Sequence, residues 1–221
     1  MSATAVEAIK TGLLATLYPR RVVGELVSKP NKVAIAAWIN VVFAFLYALT
    51  ALVYYFIGRL PAVEPWMPID PGRYYIYQVL WTVPWGLATW IMFSGIAHLL
   101  AVTARANASS YRFEDALAVC AVGWVVPRAV LMWIPATILV PILGVFWPRW
   151  IETLRLMVIP VVWQVLLVAV GLRQTHQVGW PRGIGIGLVT VIVPFVSFLA
   201  FMRYGDGADD KLAKCSAGQL L

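Results

Sequence analysis

Residues 33–57 read VAIAAWINVVFAFLYALTALVYYFI, a run with no charged side chain and one amide, Asn40. Crossing the hydrocarbon core of a bilayer takes roughly 20 apolar residues as a helix. The run therefore predicts a transmembrane span. The rest of the chain agrees: 62% of its 221 residues are hydrophobic and 12% charged, with a mean hydropathy of +0.82. A soluble domain carries about 25% charged residues, so too little polar surface is left here to coat a water-soluble globule. The expected fold class is an all-α integral membrane protein, a bundle of about five transmembrane helices with a short amphipathic N-terminal interfacial segment.

Working outward, residues 1–32 form that amphipathic segment. Val6, Ile9, Leu13 and Leu17 recur at helical spacing, Tyr18-Pro19 breaks the pattern, and Val22, Val23, Leu26 and Val27 form a second stripe among Arg20, Arg21, Lys29 and Lys32. Short, basic and amphipathic describes a helix lying in the membrane interface, or one packed on the spans from the cytoplasmic side. After the first span (33–57), a loop holds Pro61, Pro65, Pro68 and the turn signal Asp70-Pro71-Gly72. The second span (76–103) opens on an aromatic belt of Tyr74, Tyr75, Tyr77 and Trp81. The third (113–147) is too long for one span and short for two. With Pro127, Arg128, Pro135 and Pro141 inside it, it reads as kinked or broken near Pro127, with a re-entrant pair as the alternative. Spans at 156–172 and 183–202 complete the domain, and 203–221 is expected to be a polar, mobile tail.

The net charge of +7 falls between apolar runs rather than on one face, which points to anionic lipid headgroups and not to nucleic acid. The basic cluster before the first span favours a cytoplasmic N-terminus. Cys120 and Cys215 read as free thiols.

The order of elements resembles the Yip-domain family (Ypt/Rab-interacting membrane proteins). The likeness rests on Tyr18-Pro19-Arg20-Arg21-Val22-Val23-Gly24-Glu25-Leu26 before the first span and on Tyr111-Arg112-Phe113-Glu114-Asp115-Ala116-Leu117 leading to Pro127. It continues in Trp163-Gln164-Val165-Leu166-Leu167-Val168-Ala169-Val170-Gly171-Leu172-Arg173, then His176 and a small-residue fifth span. The chain has neither the long cytosolic N-terminal region nor the Asp-Leu-Tyr-Gly-Pro stretch of the eukaryotic members, so it is closer to the prokaryotic branch, and no Rab-GTPase role is expected. In the eukaryotic branch the resemblance implies membrane-trafficking scaffolds with cytosolic N-termini. For the prokaryotic branch it implies the five-span fold but no settled activity, and the expected location is a prokaryotic cytoplasmic membrane rather than the endoplasmic reticulum or Golgi.

Three groups of residues stand out. Arg128, with Gln164 and Asn40, forms a candidate intramembrane polar site. A charge roughly 22 Å along a helix starting at Phe113 must find acceptors. These are backbone carbonyls and Gln164 on one reading, an anion or lipid phosphate on the other. His98, Arg105, Arg112, Glu114, Asp115, Arg173, His176 and Arg182 map to the cytoplasmic ends of the spans, where helix capping and positive-inside arginines account for most such residues. Gly183 and Gly187 have the four-residue spacing that lets helices approach closely.

Neither histidine has a second ligand at i+3 or i+4, so no metal is expected. The sequence shows no nucleotide motif, catalytic triad or paired intramembrane carboxylates, so neither an enzyme nor a cofactor is expected. The reading is a non-catalytic membrane scaffold or partner-binding subunit, held among lipids and other membrane proteins or copies of itself. The alternative is a transport or permeation protein for a small solute, ion or lipid, whose mid-span prolines would free carbonyls to line a path.

Overall fold

The structure, a computed structural model, describes residues 3–58, 69–104, 112–134, 151, 154 and 158–201. These residues are helical, with no strand among them. Seven α-helices are present among them: α1 (Ala3–Leu17), α2 (Pro19–Ser28), α3 (Lys32–Phe56), α4 (Tyr74–Thr103), α5 (Phe113–Arg128), α6 (Ile159–Thr175) and α7 (Trp180–Phe201).

Pro19 opens α2 in the first turn, where its missing N–H costs nothing. Asp70 accepts from the Gly72 N–H at 3.0 Å, and the resulting turn runs into α4. Pro84 and Pro127 sit inside α4 and α5. Immediately after Pro127 the backbone widens into a π-helix over Ala129–Trp133. A proline cannot donate to the carbonyl four residues back, and a π-turn is one way a helix absorbs that loss. The sequence places a kink or break of the 113–147 stretch near Pro127, and residues 135–147 of that stretch lie outside the described residues.

Two helical stretches are long and apolar enough to cross a membrane, Lys32–Phe56 with 25 residues and Pro71–Thr103 with 33, at mean hydropathies of 2.1 and 1.5. Ile159–Thr175 and Trp180–Ile192 are apolar but shorter. The described residues thus hold two helices of full membrane length, where the sequence leads one to expect five. Helix α7 begins at Trp180, so Arg182 sits in its first turn and not in a preceding loop; Pro181 at an early helical position favours that start.

Helix α5 is the axis of the bundle. It packs against α3, α4 and α6, while α7 leans on α6 and α4. From Ala116 to Gly123 every residue of α5 is buried. Glycines set the spacing: a Cβ on Gly171 would lie 2.2 Å from Val119 Cγ1, and one on Gly123 2.9 Å from Val168 Cγ2. Each helix offers a glycine to the other's valine.

On helix α1 the small face, Ala5, Ala8, Thr11 and Ala15, is buried, and the apolar stripe points outward, with Leu13 69% and Leu17 71% exposed. The same inversion appears on α3, which buries Ala36, Ala44, Ala48 and Ala51 and exposes Trp38, Phe45, Leu49 and Phe56.

Candidate functional site

Two polar clusters lie at opposite ends of the described part of α6. The first is built on Gln164, which is fully buried. The mesh of Gly123 with Val168 draws α5 so close that Arg128 reaches across. Its Nη1 donates to Gln164 Oε1 at 2.6 Å and to its own helix's Trp124 carbonyl at 2.9 Å. The guanidinium carbon sits 3.5 Å from the centroid of the Trp124 ring, a cation–π contact. The carbonyl that Pro127 deprives of its partner is Gly123's, yet the carbonyl Arg128 bonds is Trp124's, one residue on. Gln164 Nε2 is enclosed and has no hydrogen-bond partner among the described residues. Asn40 does not join this pair: it is buried and donates to Ala36 O in its own helix at 2.9 Å.

The second cluster gathers the ends of four helices. His98 on α4 and His176 at the end of α6 meet with Nδ1 and Nε2 3.1 Å apart. Thr175 Oγ1 lies 2.7 Å from His176 Nδ1 and 3.0 Å from Gly171 O, and carries a single hydroxyl proton. With that proton on Gly171 O, the hydroxyl accepts from His176 Nδ1–H and His176 Nε2 accepts from His98 Nδ1–H; with the proton on His176 Nδ1 the roles along the chain reverse. His98 also meets the ring of Phe113 edge-on at 5.6 Å.

Beside them Lys32 pairs with Asp115 across α3 and α5, the two side chains only 14% and 15% exposed. His176 is held down to about 4, first by burial and then by the nearby His98, with Asp115 opposing both.

The remaining residues at this end are exposed. Arg182 Nη1 donates to Ala104 O at 2.9 Å, tying α7 to the end of α4. Arg173 lies over the Trp180 ring at 5.2 Å. Arg112 and Glu114 are solvent-facing at the start of α5, and Arg105 lies outside the described residues. On α7, Gly183 and Gly187 both pack on α6 within the chain: a Cβ on Gly183 would meet Ala169 at 3.4 Å, and one on Gly187 would meet Val165 O at 3.0 Å.

Beyond these, the N-terminal helices are tied down by a Lys29–Glu7 ion pair at 2.6 Å, whose hydrogen bond holds the Glu7 carboxyl below the usual range. Gln174 Nε2 donates to Arg20 O at 3.2 Å, beside an open cleft of about 690 Å³ lined by Arg20, Arg21 and Gly24.

Sequence reasoning missed the Lys32–Asp115 pair, because Lys32 reads as one more cation of an interfacial segment. It missed the glycines at 123 and 171, which share no short spacing. Both histidines fall in the expected end-of-span group, but nothing in the sequence pairs them. Among the described residues no three His, Cys, Asp or Glu side chains converge on a metal position. Compared with protein-family models, curated proteins and solved structures, the chain finds no match.

Proposed function

We propose that the chain is a five-span integral membrane protein of the Yip-domain type, with its N-terminus in the cytoplasm of a prokaryotic cell. On this reading it works as a non-catalytic scaffold or partner-binding subunit. The observation that carries the reading is the inverted size distribution of the helices. On α1 and α3 the buried residues are mostly alanines, with Ile35 and Ile39 beside them, while Leu13, Leu17, Trp38, Phe45, Leu49 and Phe56 face outward; α4 exposes Leu80, Trp81 and Trp85 although it buries Trp90 and Phe93. In water, each large apolar side chain left exposed forgoes about 1.5–3 kcal/mol of burial. In lipid it forgoes nothing, and close backbone approach becomes the attraction that remains. The basic N-terminal segment supports the cytoplasmic assignment.

The test is a membrane preparation washed with alkaline carbonate, followed by thiol labelling in intact cells of single-cysteine variants in a Cys120→Ala, Cys215→Ser background. The chain is expected to stay in the pellet, with a cysteine at Gly58 labelled and one at Ser28 shielded. Release by carbonate, or the reverse labelling, overturns the reading. A transport role draws on one specific observation, the Arg128–Gln164 pair inside the bundle. Solute flux through liposomes containing the purified chain separates that role from scaffolding, which is tested by native co-purification of partners.

A further inference from the structure

We infer that Arg128, braced by Trp124 and Gln164, binds a phosphate-type oxyanion at the surface of the bundle. The case begins with donors. A guanidinium carries five N–H groups on three nitrogens, and among the described residues only Nη1 meets acceptors, Trp124 O and Gln164 Oε1. The Trp124 ring covers one face at 3.5 Å, so the edge formed by Nε and Nη2 is fixed in direction and, among the described residues, without an acceptor. The side chain is half-buried.

Charge makes the same point. Among the described residues no carboxylate pairs with Arg128. Asp115 lies thirteen residues back in the same helix, roughly 20 Å away, and is held by Lys32. Beside the guanidinium, the enclosed Gln164 Nε2 has no partner among the described residues either, and an orphaned donor of that kind costs about 1–3 kcal/mol. The guanidinium edge carries the surplus that an incoming group can meet, and the complement it calls for is an acceptor with negative charge. A planar guanidinium edge matches two oxygens of a tetrahedral oxyanion, which a halide cannot offer.

Position selects phosphate. Arg128 sits roughly 22 Å from the start of α5, and the hydrocarbon core is about 30 Å thick. An arginine can extend its charged head toward the nearer headgroup layer, where phosphodiesters are the abundant anions. The placement in depth rests on the membrane reading above; the donor geometry does not, and the test below runs in detergent so that the two fail separately.

The experiment is thermal unfolding of the delipidated full chain in neutral detergent at constant ionic strength. Phosphatidylglycerol, phosphatidylcholine or low-millimolar inorganic phosphate is added, with chloride as control. Saturable stabilisation by lipid alone identifies a lipid phosphodiester, and stabilisation by inorganic phosphate identifies a free oxyanion. No stabilisation beyond chloride overturns the proposal.

Arg128→Lys, which keeps the charge but loses the fork, is expected to raise the half-saturating concentration about tenfold, and Arg128→Met to abolish the response. Because Arg128→Met can fail to fold, Gln164→Glu is the deciding variant. It sets a carboxylate of nearly the same shape against the guanidinium and supplies the missing anion from within the chain. It is expected to unfold at a higher temperature than the bare wild type and to ignore the added phosphate. A Gln164→Glu chain that does not fold, or that responds as the wild type does, overturns the proposal.

Discussion

The two polar clusters on α6 are built from similar materials and balanced in opposite ways. At the His176 end the polar groups meet partners: His98 with His176, His176 with Thr175, Thr175 with Gly171 O, and Lys32 with Asp115 and Val27 O. At the Gln164 end, the described residues leave donors over and supply no negative charge. A closed network fixes four helix ends in place. An open one has something left to bind. The difference teaches that burial alone does not distinguish a structural polar cluster from a site; the count of donors against acceptors does.

The largest effect should come from breaking what holds both ends at once. Between them lies the glycine–valine mesh of α5 and α6. Gly171→Leu would drive a side chain into Val119, where even a Cβ would stand 2.2 Å from Cγ1. The expected cost exceeds about 3 kcal/mol, and size-exclusion chromatography should show loss of the monodisperse species. Helix α7 supplies its own control. A Cβ at Gly185 meets nothing within 4 Å, so Gly185→Ala should be neutral or gain about 0.5–1 kcal/mol of helix propensity. Gly187→Ala, pressed on Val165 O, should lose stability. Equal effects at 185 and 187 would mean that α7 does not pack on α6 as described.

Next in size is the balanced end. Lys32→Met removes one partner of a largely buried pair and leaves the Asp115 carboxylate uncompensated, at an expected cost of about 2 kcal/mol. Lys32→Met combined with Asp115→Leu should recover much of that loss, because no charge is then stranded. Thermal unfolding of the two single variants and the double variant gives the coupling. A double variant as unstable as the sum of the singles would show that the pair is not a unit.

The histidines supply the pH dependence. His176 is lowered from an ordinary 6.5 to about 4 in the folded chain, so between those values the unfolded chain binds the extra proton. Stability is then fully present above about pH 6.5 and falls as the pH drops toward 4, by on the order of 2 kcal/mol once screening is allowed for. His176→Gln should flatten that part of the curve. Lys32→Met should shrink that acid loss, since Asp115, freed of its lysine, would favour the charged imidazole and bring the folded His176 back toward its ordinary value. An acid limb unchanged in His176→Gln would place the titration elsewhere.

How much of this was legible in the sequence depended on whether the signal was local. The apolar run of α3 and the Gly183/Gly187 spacing are local patterns and needed no partner to be read. Arg128 and Gln164 could be paired on paper because each is an isolated polar group in an apolar stretch, and such groups have few places to go. Gly123 and Gly171 could not, because their meaning lies in valines on another helix. The orientation of α1 was not legible for a different reason. Hydrophobic periodicity assumes water outside and a core within, whereas on α1 side-chain size, not polarity, separates inside from outside.

The smallest predicted effect probes how the balanced end is aimed. Helix α6 closes with His176 N–H on Leu172 O at 2.8 Å, and the chain then turns through Gln177 at φ +48°. This left-handed conformation follows many helix ends and is usually filled by glycine. A residue with a Cβ holds it at a cost of about 1–2 kcal/mol. Gln177→Gly would relieve that strain but give the unfolded chain more freedom, worth about 0.4–1 kcal/mol in the other direction. The net expectation is a gain of about 0.5 kcal/mol, a rise of roughly 1–2 °C in Tm for a chain of this size. Gln177→Val, β-branched in a left-handed turn, should lose more than glycine gains. If the turn serves only to aim His176 at His98, the acid limb of the stability curve should keep its midpoint in Gln177→Gly while the whole curve rises. A midpoint that moves would show that the Gln177 side chain takes part in the histidine network.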